Sequence, residues 1–417
     1  MSGWSPEQAE SHLLSLELFG MRFGLERMRR LLTVLGSPQK RFRSIHVVGT
    51  NGKSSTARMT AAILEAHGVR TGAYLSPHLT SYAERIRIGD ADLEPAAFGA
   101  AIERAAAAAA KVDRTLSGGE RVTQFELLTA AAFDELARRG VDVAVVEAGL
   151  GGRWDATNVL DAPVVVLTNV GLEHTRWLGP TIADIAREKL AVVRAGATLV
   201  LGDVQPVVEE LARATAATIV RPRPRPEAAG LPGYQRTNFA AAAAAAEAYL
   251  AVAPGSARRA ALDPAIVAEV AARTQIPGRL QIVNEEPRTV YDGAHNPSGI
   301  AALAAALPDA IGARKPVAVV SILDDKDAGG MLRELLPAVS AFVFTASANR
   351  RALPPATLAS LAAQLGAPAA EVEPDPRRAI ERARILAGPE GAVVATGSIY
   401  LVADLLSPVG ARRASAL

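Results

Sequence analysis

Ser44-Ile45-His46-Val47-Val48-Gly49-Thr50-Asn51-Gly52-Lys53-Ser54-Ser55-Thr56 is the stretch whose reading decides the fold. Ile45 to Val48 has the apolar run of a buried parallel strand, and Ser54 to Ala66 has helical spacing, so the glycines between them make a tight strand-to-helix turn. Such a turn cradles phosphate, because backbone N–H groups and the helix dipole converge on an anion. Within it Thr50, Asn51, Gly52, Lys53, Ser54 and Ser55 are the candidate nucleotide contacts. Lys53 can neutralise β- and γ-phosphates, and the Ser54 hydroxyl can ligate magnesium. The spacing departs from the common phosphate loop at Val47, where that pattern has glycine.

Working outward, residues 5–40 precede this strand with helix-like spacing of Leu13, Leu16, Leu18, Leu25, Met28, Leu31, Leu32 and Leu35. Thr71 to Leu75 reads as a second strand delivering Ser76-Pro77-His78-Leu79. Helices are expected at 95–111 and from Thr123 to about Arg139. Val141 to Val146 and Val164 to Asn169 are further strands, ending in Glu147 and in Glu173-His174. Strand and helix signals alternate through about residue 205, which specifies an α/β fold, a doubly wound, mostly parallel phosphate-loop sheet. Ligands in such sheets bind beyond the carboxyl ends of the strands, so these ends should share one rim.

The alternating prolines of Arg221 to Pro226 make a loop, and a helix is expected from about Thr237 to Val252. Ile276-Pro277-Gly278-Arg279 marks a turn, with the domain boundary just beyond, giving domains 1–283 and 284–417. In the second, strands at 289–292, 317–323, 341–346 and 392–396 alternate with helices, as a smaller Rossmann-like α/β unit. The tail after Ser407 has no periodicity and is expected to fray.

Composition excludes several classes. With 45 Lys+Arg against 43 Asp+Glu and only 4% aromatic residues, neither a nucleic-acid surface nor a stacking platform is expected. No cysteine is present, which removes disulfides, thiolate metal sites and thiol redox chemistry. No stretch reaches the ~18 consecutive apolar residues of a membrane span, so a cytoplasmic chain without membrane partners is expected.

Four polar side chains stand where first-domain strands end: Ser54, Ser76, Glu147 and His174. Oxygen and imidazole ligands at one rim suit magnesium bridging nucleotide phosphates. Glu188-Lys189 follows a helix beyond His174. Lys189 is either a solvated helix-end charge or a lysine that reacts with CO2 to give an anionic carbamate, and the residues alone leave both open. In the second domain Asp292-Gly293-Ala294-His295-Asn296-Pro297 ends a strand and opens a helix. N-capping accounts for Asn296 and Pro297 but not for Asp292 or His295.

Together these motifs resemble the folylpolyglutamate synthase / dihydrofolate synthase family of Mur ligases. The likeness runs from about Leu18 to Leu406, through Gly-Thr-Asn-Gly-Lys, Ser76-Pro77-His78-Leu79, Glu84-Arg85-Ile86, Gly149 to Asn158, Asp292 to Pro297, Asp325-Lys326-Asp327 and Thr396-Gly397-Ser398-Ile399-Tyr400. The resemblance implies an ATP-dependent ligase that adds L-glutamate to a pteroate or folate carboxylate through an acyl phosphate. A Mur-type ligase acting on another carboxylate is the alternative.

It further implies that Lys53 and the loop amides hold phosphates, that Ser76, Glu147 and His174 hold Mg2+, in two sites, and that Lys189 is carbamylated. By the same resemblance Asn238, Arg279, Asp292 and His295 contact the nucleotide, with Lys53, Lys189 and His295 as catalytic residues. Thr123, Phe125 and Glu126, with Gly151, Gly152 and Arg153, form the pteroate surface, and Ser398 meets the glutamate. A monomer is expected. The sequence departs from the family at Ser54, where glycine is usual, at Glu173-His174 for Asp-His, around Lys189, and at Tyr234-Gln235 for His-Gln. Whether Ser54 or Ser55 reaches magnesium stays open.

Overall fold

A computed structural model describes residues 3–16, 24–253 and 261–408. The expected helical residues 17–23 and the tail beyond 408 lie outside the described residues. The chain forms two compact units: Met1–His78, Tyr82–Ala228 and Thr237–Arg273 make the first, and Leu79–Ser81, Ala229–Arg236 and Thr274–Leu417 the second.

The first unit is built on an eight-stranded sheet: β1 (Arg43–Val48), β2 (Thr71–Tyr74), β3 (Ile86–Ile88), β4 (Ala91–Asp92), β5 (Val143–Glu147), β6 (Val164–Leu167), β7 (Thr198–Leu201) and β8 (Thr218–Val220). Their order is β4-β3-β2-β5-β1-β6-β7-β8, parallel from β2 through β8, with β3 and β4 antiparallel at one edge. Continuously buried, mostly apolar runs in β1 after Arg43, in β5 and in β6 suit parallel strands covered on both faces.

Register then positions the site. Val47 pairs with Glu147 on one side and with Val166 on the other, which sets Glu147 beside the chain's entry into the phosphate loop. Side chains alternate along a strand, so His46 shares its face with Val48. That face packs with Val165 and Leu167 against Ile185, Ala186 and Leu190 of the Ile182–Leu190 helix.

The second unit carries β9 (Gln281–Glu285), β10 (Arg288–Tyr291), β11 (Val317–Val320), β12 (Ala341–Phe344), β13 (Ala370–Val372) and β14 (Ala392–Thr396), in the order β13-β12-β11-β14-β10-β9. Only β9 runs antiparallel. Its ladder with β10 draws the chain from Thr274 into this unit, ahead of the boundary expected at 284. Its half-buried polar pattern gave no strand signal.

Helix positions follow local chemistry. Asn296 caps the Pro297–Ile311 helix by accepting the Gly299 N–H at 2.7 Å, with Pro297 at its first position. The helix expected from Thr237 begins three residues earlier, at Tyr234. No helix among the described residues is long and apolar enough to cross a membrane.

Candidate active site

Gly49 and Gly52 shape the loop between β1 and the Lys53–Ala66 helix. Both have positive φ, and a Cβ on Gly49 would stand 1.9 Å from Thr168 Oγ1, on Gly52 2.5 Å from Asn238 Oδ1. The loop is anchored on the segment after β6. Thr50 N–H donates to the Asn169 carbonyl at 3.0 Å, Asn51 N–H to Asn169 Oδ1 at 2.9 Å, and the Thr168 hydroxyl to the Asn51 carbonyl at 2.7 Å. Lys53 Nζ turns back on the Thr50 carbonyl at 3.1 Å.

Ser54, Ser76 and Glu147 come together at this rim. The Ser54 hydroxyl donates to Glu147 Oε1 at 3.0 Å, and the Ser76 backbone N–H donates to Oε2, also at 3.0 Å. Ser55 is different: its hydroxyl is buried without a hydrogen-bond partner among the described residues. His174 precedes the short Thr175–Leu178 helix as its N-cap residue, with Nε2 3.8 Å from Glu173 Oε1. Among the described residues no three His, Asp or Glu side chains gather as a preformed metal site. The donor set of Ser54 and Glu147 oxygens, a glycine cradle and an orphaned Ser55 hydroxyl fits a hard cation that takes further oxygens from phosphate.

Lys189 is not a solvated helix-end charge. It is 4% exposed, and its Nζ donates to the Gly49 carbonyl at 2.7 Å. Burial, together with the positive charge of Lys53, lowers its pKa to about 7. A lysine so tuned is substantially neutral near pH 7, the form that attacks CO2.

Two of the residues expected at the pteroate surface also hold local structure. Thr123 and Glu126 form a reciprocal capping box at the Gln124–Arg138 helix, and the Glu126 carboxylate pairs with buried Arg27 at 3.2 Å. Thr-x-x-Glu is a sequence signature of such a box. Phe125 packs over Gly149, where a Cβ would stand 2.5 Å from its ring, and lies 6.1 Å from the Tyr74 ring. Gly152 backs onto the Glu188 and Lys189 carbonyls, 2.7 and 2.9 Å from where its Cβ would be. Arg153 keeps a half-exposed side chain paired with Glu188 at 2.9 Å.

In the second unit, Asp292 follows β10 and is fully buried. It accepts the Tyr234 hydroxyl and the Leu280 N–H (2.8 Å) on Oδ2, and the Ala294 N–H (2.9 Å) on Oδ1. Burial raises its pKa, an effect that the Arg279 charge opposes. Asp292 therefore fixes the turn that carries Arg279, whose guanidinium lies over Gly293 and donates to the Gly278 carbonyl at 2.8 Å. His295 Nδ1 lies 2.9 Å from the Gly293 carbonyl. Ser398 is buried, and its hydroxyl caps the Ile399–Leu406 helix by accepting the Tyr400 N–H at 3.1 Å. Asp292→Ala would strand three buried donors, so a loss of about 3 kcal/mol or more is expected in denaturant unfolding. Unchanged stability would contradict the anchoring role.

Sequence reasoning marked Tyr234 only as a departure from the family, with no role, and did not single out the buried set of His46, Asp155 and Thr157. A histidine inside an apolar strand was the available signal for the latter.

Known proteins match the chain over most of its length. The Mur ligase middle domain family matches residues 47–221, and the Mur ligase, glutamate ligase domain family matches 278–399. A Mycobacterium tuberculosis protein named dihydrofolate synthase/folylpolyglutamate synthase is 37% identical over 381 residues, 82% of this chain and 77% of its own length. The M. tuberculosis folylpolyglutamate synthase structure complexed with ADP and AMPPCP superposes with a TM-score of 0.87 at 34% identity, covering 98% of both chains. Escherichia coli FolC in complex with DHPP and ADP gives 0.83 at 28% identity, over 97% of this chain and 98% of that one.

Proposed function

Because the chain belongs to the folylpolyglutamate synthase / dihydrofolate synthase family of Mur ligases, we propose that it is an ATP-dependent amide ligase joining L-glutamate to a pterin-linked carboxylate. The observation that carries this reading is the junction of the glycine-shaped phosphate loop, the Ser54–Glu147 oxygens and buried Lys189 at one sheet rim. An acceptor carboxylate oxygen attacks the γ-phosphorus, and the bond to the β-phosphate bridging oxygen breaks, releasing ADP. The glutamate amine then attacks the acyl carbon, loses a proton, and expels phosphate.

Activation is required because a carboxylate is a poor electrophile. Catalysis here is positioning and charge neutralisation more than proton transfer. Lys53 and the amides of Thr50 to Ser54 hold the β- and γ-phosphates. Ser54, Ser76 and Glu147 would hold one magnesium and His174 a second, which neutralise phosphate charge when bound. Support for Ser54 over Ser55 is its 3.0 Å bond to Glu147.

Lys189, neutral in part near pH 7, adds its nitrogen to CO2 and releases a proton, leaving a carbamate. Phe125, Gly151 and Arg153 form the acceptor side, with Thr123, Glu126 and Gly152 shaping it from behind. Asn238, Arg279 and His295 contact the nucleotide, Asp292 orients Arg279, and Ser398 sits at the glutamate.

Both acceptors of the family's double name are within this reading: dihydropteroate, giving dihydrofolate, and tetrahydrofolate, giving its polyglutamates. The test is ATP- and glutamate-dependent ADP release with 7,8-dihydropteroate and with tetrahydrofolate in parallel, products being identified by mass. Turnover with both is expected. Turnover with neither, in folded protein supplied with magnesium and bicarbonate, would overturn the proposal.

A further inference from the structure

The loop from Gly149 to Asn158 begins and ends on one carboxylate. Asp155, 6% exposed, accepts the Leu150 N–H at 2.7 Å on Oδ2 and the Thr157 N–H at 3.1 Å on Oδ1. The Thr157 hydroxyl also donates to Oδ1, and His46 Nε2 lies 2.8 Å from that hydroxyl. A hydroxyl has a single hydrogen, and Thr157 spends it on Asp155. His46 must therefore donate from Nε2.

The direction of the chain is thus fixed as His46 to Thr157 to Asp155, starting inside β1. Burial, with a smaller contribution from Arg194, lowers the His46 pKa to about 3, so the ring is neutral at any working pH. None of these three residues is among those assigned to ATP, metal or acceptor.

We infer that His46 is a positioning residue for ligation: acting through Thr157 and Asp155, it holds the loop that presents Gly151 and Arg153 to the acceptor. This rests on the acceptor-side reading of that loop given above. The clamp also has a path to Lys189. Gly152 packs on the Glu188 and Lys189 carbonyls, and the Arg153 N–H donates to the Glu188 carbonyl at 2.9 Å. A loop released at Asp155 would lose its seat against the segment that carries Lys189.

The test compares steady-state constants of full-length variants with their thermal unfolding. His46→Leu should raise KM for the pterin acceptor about tenfold while KM for ATP stays within about twofold, since sub-ångström misplacement is felt by the group being positioned. His46→Gln, which retains an N–H donor near the Nε2 position, should restore the acceptor KM. Thr157→Val should reproduce the His46→Leu effect, and the double variant should be no worse than Thr157→Val alone, because both break one chain. Where His46→Leu fails to fold, Thr157→Val against Thr157→Ser decides, the serine keeping the hydroxyl.

Variants that unfold at lower temperature with both KM values unchanged would overturn the inference, leaving His46 only a stabilising residue. Arg153→Ala separates the underlying reading. If it leaves the acceptor KM unchanged, the loop does not meet the acceptor and both ideas fall. If it raises that KM while His46→Leu and Thr157→Val do not, only the positioning role fails.

Discussion

Replacing Lys53 with alanine is expected to lower the ligation rate by roughly 10³-fold while leaving a folded protein, because a cation aimed at transferring phosphoryl oxygens acts in the transition state. The stability cost should be small. Lys53 opens its helix, is only partly buried, and makes a 3.1 Å hydrogen bond to the Thr50 carbonyl within its own loop. Gly49, Gly52 and the Thr168–Asn169 anchors shape the loop without it. Rapid-quench measurement of ADP formation, alongside thermal unfolding, checks both halves. Normal turnover would remove the phosphate-loop assignment, and an unfolded variant would show that the lysine supports structure.

Lys189→Met should separate activity from stability in opposite directions. Loss of about 10²-fold or more in rate is expected if this residue orients charge at the phosphoryl group, whether as amine or as carbamate. Bicarbonate should raise wild-type activity in CO2-depleted buffer and leave the variant unchanged. Labelled CO2 should give a carbamate carbon signal in wild type alone.

Stability carries the sign of the shifted pKa. Lysine titrates near 10.5 in the unfolded chain and near 7 when folded, so below pH 7 both states hold the proton. Between those values only the unfolded state holds it, and wild-type stability climbs with pH. The methionine variant has no such group. In CO2-free buffer its stability relative to wild type should therefore fall, on the order of 2 kcal/mol, from pH 7 to 9. A pH-independent difference would mean that Lys189 is not buried as a near-neutral amine.

How much of this was legible in the sequence depends on how local each determinant is. The phosphate loop was readable because strand, glycine turn and helix are contiguous, and the rim followed from one rule of parallel sheets. The short strands at or next to the sheet edges were not readable: β3, β4, β8 and β13 span two or three residues each, too short for periodicity to register. Lys189 is the clearest case of information that sequence withholds. Its 140-residue separation from Gly49 hides the contact that buries it, so a solvated charge and a tuned amine looked alike.

Thr123 and Glu126 show the reverse problem. The resemblance places them at the acceptor, but their Thr-x-x-Glu spacing also makes a capping box, and the Arg27 pair, 99 residues away in sequence, could not be read from it. Tyr234, a departure from the family, was noticed as a difference without a consequence. Its hydrogen bond to Asp292 across 58 residues explains why a buried carboxylate there has a partner.

Oxygen tracing tests the central claim most directly. With the acceptor carboxylate labelled with ¹⁸O, ATP-dependent glutamate addition through an acyl phosphate places one labelled oxygen in the phosphate released at each turnover, and the product gains one glutamyl residue in mass. Unlabelled phosphate, or ATP hydrolysis without a glutamylated product, would contradict it.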